Sequence, residues 1–199
     1  MSSLTHPAQH MLLPDEDLPQ KEVAHMAKVT SDQNCPRQIE PSEIARSSAG
    51  FDPDEDVLLT LTRYFMESFA MPPSQSWLRA FHCAACHFGA DEGAVVMQRL
   101  LFALQAMRSS RKSTFCFNAP ECAVCSEIVT ENERRFMAAI TNARRGKPGA
   151  MTTELMLLCE GNDISLPEEC FQSLSSALPP IVSGHRAEQG EAQYVPRLH

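Results

Sequence analysis

Residues 52–69 read DPDEDVLLTLTRYFMESF, and the reading of this stretch decides the fold class. Asp52 is a favoured N-cap and Pro53 suits the first helical position. Glu55, three residues after Asp52, completes a capping box. Val57, Leu58, Leu61, Phe65 and Phe69 then recur at helical spacing until Pro72-Pro73 ends the run.

The same punctuation repeats outward from this segment. A second helix is expected from about Ser74 to Phe88, with Trp77, Phe81, Ala84 and Phe88 on one stripe and Gly89 as its stop. A third spans about Asp91 to Arg108. Val96, Leu100, Leu104 and Met107 share one face, and Val95, Phe102 and Ala106 lie roughly opposite, the pattern of a helix covered on two sides. After a loop from Ser109 to Val129, Thr130-Glu131-Asn132-Glu133 is a second capping box, and its helix runs to Gly146. A fifth helix lies near Thr152 to Glu160. A sixth opens with Ser165-Leu166-Pro167-Glu168 and stops before Pro179. With no alternating strand and no internal repeat, the expected fold is all-α, a compact bundle of five or six helices.

Large side chains mark the extent of the core. All ten Phe of the 199-residue chain lie between Phe51 and Phe171, with Trp77 and Tyr64 in the same window. Residues 1–50 and 179–199 lack such anchors and are expected to be disordered tails around a helical domain at 51–178. Charge divides similarly. Residues 1–60 carry eleven acids and four bases, a net of −7; residues 61–150 carry seven and eleven, a net of +4; residues 151–199 carry seven and two, a net of −5. A basic middle between acidic ends admits an anionic partner, against the plainer reading of solvated tails. The first residues, MSSLTHPAQHMLLPDEDLPQ, form no secretory signal, and no apolar run approaches the roughly 18 residues of a membrane span. A cytoplasmic protein with reduced thiols and no membrane association is expected.

The most informative motif is His82-Cys83-Ala84-Ala85-Cys86-His87. On a helical wheel Cys83 and Cys86 fall opposite the aromatic stripe, so they are not simple fillers of the face assumed to be buried. After a spacer of 35 residues Cys122-x-x-Cys125 repeats the spacing. Four thiolates suit tetrahedral zinc, which makes Cys83, Cys86, Cys122 and Cys125 the candidate ligands, with Cys116, His87 and His82 as spares. An iron–sulfur cluster on the same four cysteines is the alternative. Cys83 to His87 also spells the c-type haem attachment string, which the missing export signal argues against. A redox dithiol normally opens a helix after a strand, unlike Cys83.

Arg111 and Lys112 in the loop, with Arg134, Arg135 and Arg145 on the fourth helix, are candidate contacts to nucleic acid or another anion. The plainer reading is a solvated face with Glu131 and Arg135 paired four residues apart. A helix-turn-helix at Gly89 is excluded because Asp91 and Glu92 would face phosphate. No phosphate-binding glycine loop, HExxH or GxSxG occurs, and a Cys–His nucleophile pair at Cys83 or Cys86 with His82 or His87 would lack an orienting third group, so an enzyme is the less expected reading. The sequence therefore points to a zinc-stabilised regulatory or adaptor protein that binds a macromolecular partner, most simply a protein. The alternatives are a DNA-binding transcriptional regulator using the fourth helix and a thiol or iron–sulfur redox sensor.

Overall fold

The computed structural model describes residues 35–181. The elements run β1 (Ile44–Ala45), α1 (Pro53–Ala70), α2 (Trp77–Phe88), α3 (Ala90–Ser110), β2 (Ile128–Val129), α4 (Glu131–Arg144), α5 (Pro148–Leu158) and α6 (Ser165–Ala177). The fold is all-α as expected, six helices among the described residues with one two-stranded sheet. The caps that announced α1 and α4 form. Asp52 accepts from the Glu55 amide at 2.8 Å, Thr130 accepts from the Glu133 amide at 3.1 Å, and both glutamates reach back to their cap residues. α6 differs: instead of Ser165 capping it, Asp163 accepts from the Ser165 amide and hydroxyl, and Glu168 turns to Thr152.

α3 lies between α2 and α6, and α4 packs on α5 and α6. Leu100, Leu104, Phe136, Ile140 and Phe171 are fully buried where these layers meet. Phe136 sets its edge against Phe171 at 5.0 Å and meets Phe115 at 6.2 Å.

The packing of α2 overturns the expected orientation in part: Ala84 and Phe88 of the expected stripe meet the core, but its two leading aromatics do not. Ala80 and Ala84 face the core, while Trp77 and Phe81 are 42% and 45% exposed. The cause lies on α3. A Cβ on Gly93 would sit 2.8 Å from the Ala84 carbonyl oxygen, so the two backbones approach too closely for large side chains between them. On α3 itself Ala106 is covered, but Val95 and Phe102 are exposed, so only part of the expected second face is buried.

The amino-terminal boundary also moves. Residues 35–50, assigned from sequence to the tail, pack on the domain. Ile44 and Ala45 pair antiparallel with Val129 and Ile128, and Arg46 grips Asp56 at 2.6 Å and Thr60 at 2.8 Å. Backbone pairing and ion pairs anchor this segment without any aromatic side chain. At the other end Arg144 donates to the Pro179 carbonyl. The remainder of the expected tails, 1–34 and 182–199, lies outside the described residues.

Candidate metal centre

The site is built on the long loop between α3 and α4, which one buried arginine holds in place. Arg63 on α1 is fully buried and spends its donors on that loop. It donates to the carbonyls of Ser126 at 2.6 Å and Ile128 at 2.5 Å, and to both oxygens of the equally buried Glu133 at 2.8 and 3.1 Å. Glu133 also accepts from the amides of Asn118 and Thr130, and the Asn118 side chain donates to the Ile128 carbonyl. The charges are paired and every carboxylate oxygen is bonded, which a buried ion pair requires. Arg37 joins the network from the amino-terminal segment by donating to Asn118 and Glu43.

The loop so fixed turns sharply at Cys122-Ala123-Val124-Cys125. The Ser126 amide donates to the Cys122 carbonyl at 2.8 Å, and the Cys125 amide donates to the Cys122 sulfur at 3.4 Å. This closes a knuckle in which one backbone N–H serves a sulfur and a second ties the turn. Cys35, delivered by the docked amino-terminal segment, brings a third sulfur to 3.6 Å from that of Cys125. The sulfurs of Cys35, Cys122 and Cys125 all lie within 4.8 Å of one another. Sulfurs on one tetrahedral zinc stand about 3.8 Å apart, given Zn–S bonds of about 2.3 Å. These three residues can therefore hold a metal ion with little rearrangement. Among the described residues no further Cys, His, Asp or Glu joins the group.

The knuckle also differentiates the thiols. The Cys125 amide holds the Cys122 thiol below its ordinary range, whereas burial pushes Cys125 up to about 12.

The structure unites Cys122 and Cys125 as a pair but joins them to Cys35. Cys83 and Cys86 remain on α2, outside the cluster: Cys83 is half-buried against the core, and Cys86 is exposed with its sulfur 3.7 Å from His82 Nε2. His87 pairs with Asp54 at 2.9 Å, and the Cys116 side chain is exposed. Cys35 was missed because it stands in a stretch without aromatic residues. The available signal was the segment around it, where Arg37, Glu43 and Ile44 supply the ion pair and strand contact that dock it.

Two of the five basic candidates, Arg111 and Arg135, are engaged within the fold. Arg111 donates to the Leu158 carbonyl at 2.5 Å and pairs with Glu160 at 3.2 Å. Arg135 pairs with Glu131, four residues before it, and lies 3.7 Å from Glu154. Lys112, Arg134 and Arg145 are exposed. No described helix is long and apolar enough to cross a membrane. In comparisons with known proteins, no family model matches the chain, and neither a curated protein nor a solved structure is detectably similar to it.

Proposed function

We propose that this is a zinc-stabilised regulatory or adaptor protein of the reducing cytoplasm, which binds a protein partner through α2. The observation that carries the metal reading is the knuckle: three sulfurs within 4.8 Å, with a backbone amide already donating to one of them. Soft thiolates select zinc or copper(I) over harder ions, and zinc accepts three thiolates with one further donor. An iron–sulfur cluster normally takes four cysteines, which makes it the weaker fit here. In this reading zinc fastens the segment at Cys35 to the α3–α4 loop and completes the work of the Arg63 network.

The partner reading rests on α2. Its buried face is alanine, and its outer face displays Trp77, Phe81 and Leu78, the last 50% exposed. Trp77 and Phe81 lie edge to face at 6.1 Å, so the patch has a defined shape. Exposed aromatic clusters of this kind mark protein–protein contacts. Nucleic-acid binding has less support, because Arg111 and Arg135 are already paired.

Elemental analysis of the full chain purified without oxygen tests the metal reading. One zinc per chain is expected, and its loss in Cys122→Ser. Absence of metal, or visible iron–sulfur absorbance, would overturn it. For the partner, affinity purification from the cells that express the protein should recover a protein with the wild type and lose it with the Trp77→Ser, Phe81→Ser variant. Equal recovery by both would remove α2 from the proposal.

A further inference from the structure

We infer that Cys35 and Cys125 form a disulfide when hydrogen peroxide reaches the cluster, and that this bond replaces the metal as the tie between the amino-terminal segment and the bundle. The inference deepens the zinc reading and rests on it for the released ion, but the cross-link itself depends only on the thiols.

Three features of the geometry select this pair. The two sulfurs stand 3.6 Å apart, in van der Waals contact and across ninety positions of sequence. A disulfide needs about 2.05 Å, so the sulfurs must close by about 1.5 Å. Cys35 lies in non-helical chain and Cys125 opens a single 3-10 turn, so no long helix has to bend. Cys122 is the least exposed of the three: it is buried, and its sulfur accepts the Cys125 amide. Cys35 and Cys125 are both partly exposed.

The chemistry balances with peroxide as the oxidant. One thiolate of the pair attacks a peroxide oxygen. An S–O bond forms, the O–O bond breaks, and the departing hydroxide takes a proton to leave as water. The second thiolate then attacks the sulfenic sulfur. The S–S bond forms, the S–O bond breaks, and the second hydroxide also leaves as water. Two thiols lose two electrons in all, and one peroxide gains them. With two of its three thiolates consumed, zinc keeps only one, that of Cys122, and is released.

Cys83 and Cys86 provide the internal contrast. Residues three apart on a helix hold their Cβ atoms about 5–6 Å apart. A disulfide wants about 3.8 Å, so this pair should stay reduced under the same treatment.

The experiment uses the full chain as purified, exposed to one equivalent of hydrogen peroxide. A chromophoric chelator follows zinc, and free thiols are alkylated before non-reducing peptide mass mapping. The expected result is a peptide pair joined through Cys35 and Cys125, two hydrogens lighter than its reduced parts. One zinc should appear in step with the link, and dithiothreitol should reverse it. Cys83→Ser should form the link normally, whereas Cys125→Ser should leave Cys35 without that bond. A Cys122–Cys125 link in its place, or an alkylated Cys35 after peroxide is consumed, overturns the inference. If the protein holds no metal, the link is still read in the same sample, so failure of the zinc reading and failure of the disulfide are distinguished.

Discussion

Cys83-Ala84-Ala85-Cys86 sits in the middle of α2, whereas Cys122-Ala123-Val124-Cys125 closes a knuckle in the loop before α4. The two strings share their spacing and an alanine after the first cysteine, but their backbones put them to different use. In α2 the amides belong to the helical ladder and none is free to donate to sulfur. Of the intervening alanines Ala84 carries the packing, because Gly93 of α3 comes close against its carbonyl, while Ala85 is exposed. In the knuckle the Cys125 amide turns onto the Cys122 sulfur, and a third cysteine arrives from a distant segment. A Cys-x-x-Cys spacing therefore becomes a ligand pair only where the backbone leaves the helix and something else holds the turn. Here that support is the Arg63 network.

The sharpest way to break the comparison is to remove the support. Arg63→Met leaves Glu133 as a buried, unpaired charge, and Glu133→Gln does the reverse to Arg63. Each is expected to cost about 3–5 kcal/mol, a large share of a typical domain's stability of about 5–15 kcal/mol. Urea unfolding measures this, and the double variant should cost less than the sum of the two. Losses below about 1 kcal/mol would show that the loop does not depend on this pair.

Removing ligands comes next. Cys122→Ser should lose the metal together with part of the stability, since bound zinc contributes to folding. Cys35→Ser should behave similarly, although its cysteine lies far from the knuckle in sequence. Cys83→Ser and Cys86→Ser should retain a full equivalent. Zinc loss from Cys83→Ser with retention by Cys35→Ser would reverse the assignment of the two motifs.

Gly93→Ala probes the helical copy. Helix propensity favours the change by about 1 kcal/mol. The new Cβ would nevertheless press on the Ala84 carbonyl at 2.8 Å and the Ala85 amide nitrogen at 3.1 Å, both backbone atoms of the α2 motif. Overpacking of this kind costs about 1–3 kcal/mol, so a net loss of about 1 kcal/mol is expected, with metal content unchanged. A gain in stability would mean that α2 can move away from α3 freely.

These contrasts explain what the sequence could convey. The helices were legible because caps and periodicity act locally: Asp52 with Glu55, and Thr130 with Glu133, are readable three residues apart. The inward face of α2 was not. It depends on Gly93 of another helix, and an aromatic stripe looks the same whether it faces a core or a partner. The knuckle's own pair was visible in the spacing, but its third member was not. Cys35 is brought in by long-range contacts, β1 on β2 and Arg37 on Asn118, that leave no period in the chain.

The smallest expected effect concerns Tyr64, which lies between the two motifs. Its hydroxyl donates to Glu121 at 2.6 Å, the residue just before Cys122, and Glu121 also pairs with Arg79 of α2 at 2.7 Å. Burial, reinforced by the bond to Glu121, pushes the phenol up to about 12 from an ordinary value of 10.0. The sign follows from the raised value. Folding favours the protonated phenol, so its contribution is fully present below about pH 10 and fades as pH rises from there through about 12. Stability against urea should therefore fall more steeply above pH 10 in the wild type than in Tyr64→Phe, which has no proton to lose. The tyrosinate absorbance present in the wild type and absent from the variant should develop only towards pH 12. Parallel stability curves, with that absorbance appearing near pH 10, would show that the Tyr64–Glu121–Arg79 chain is too loose to connect the knuckle to α2.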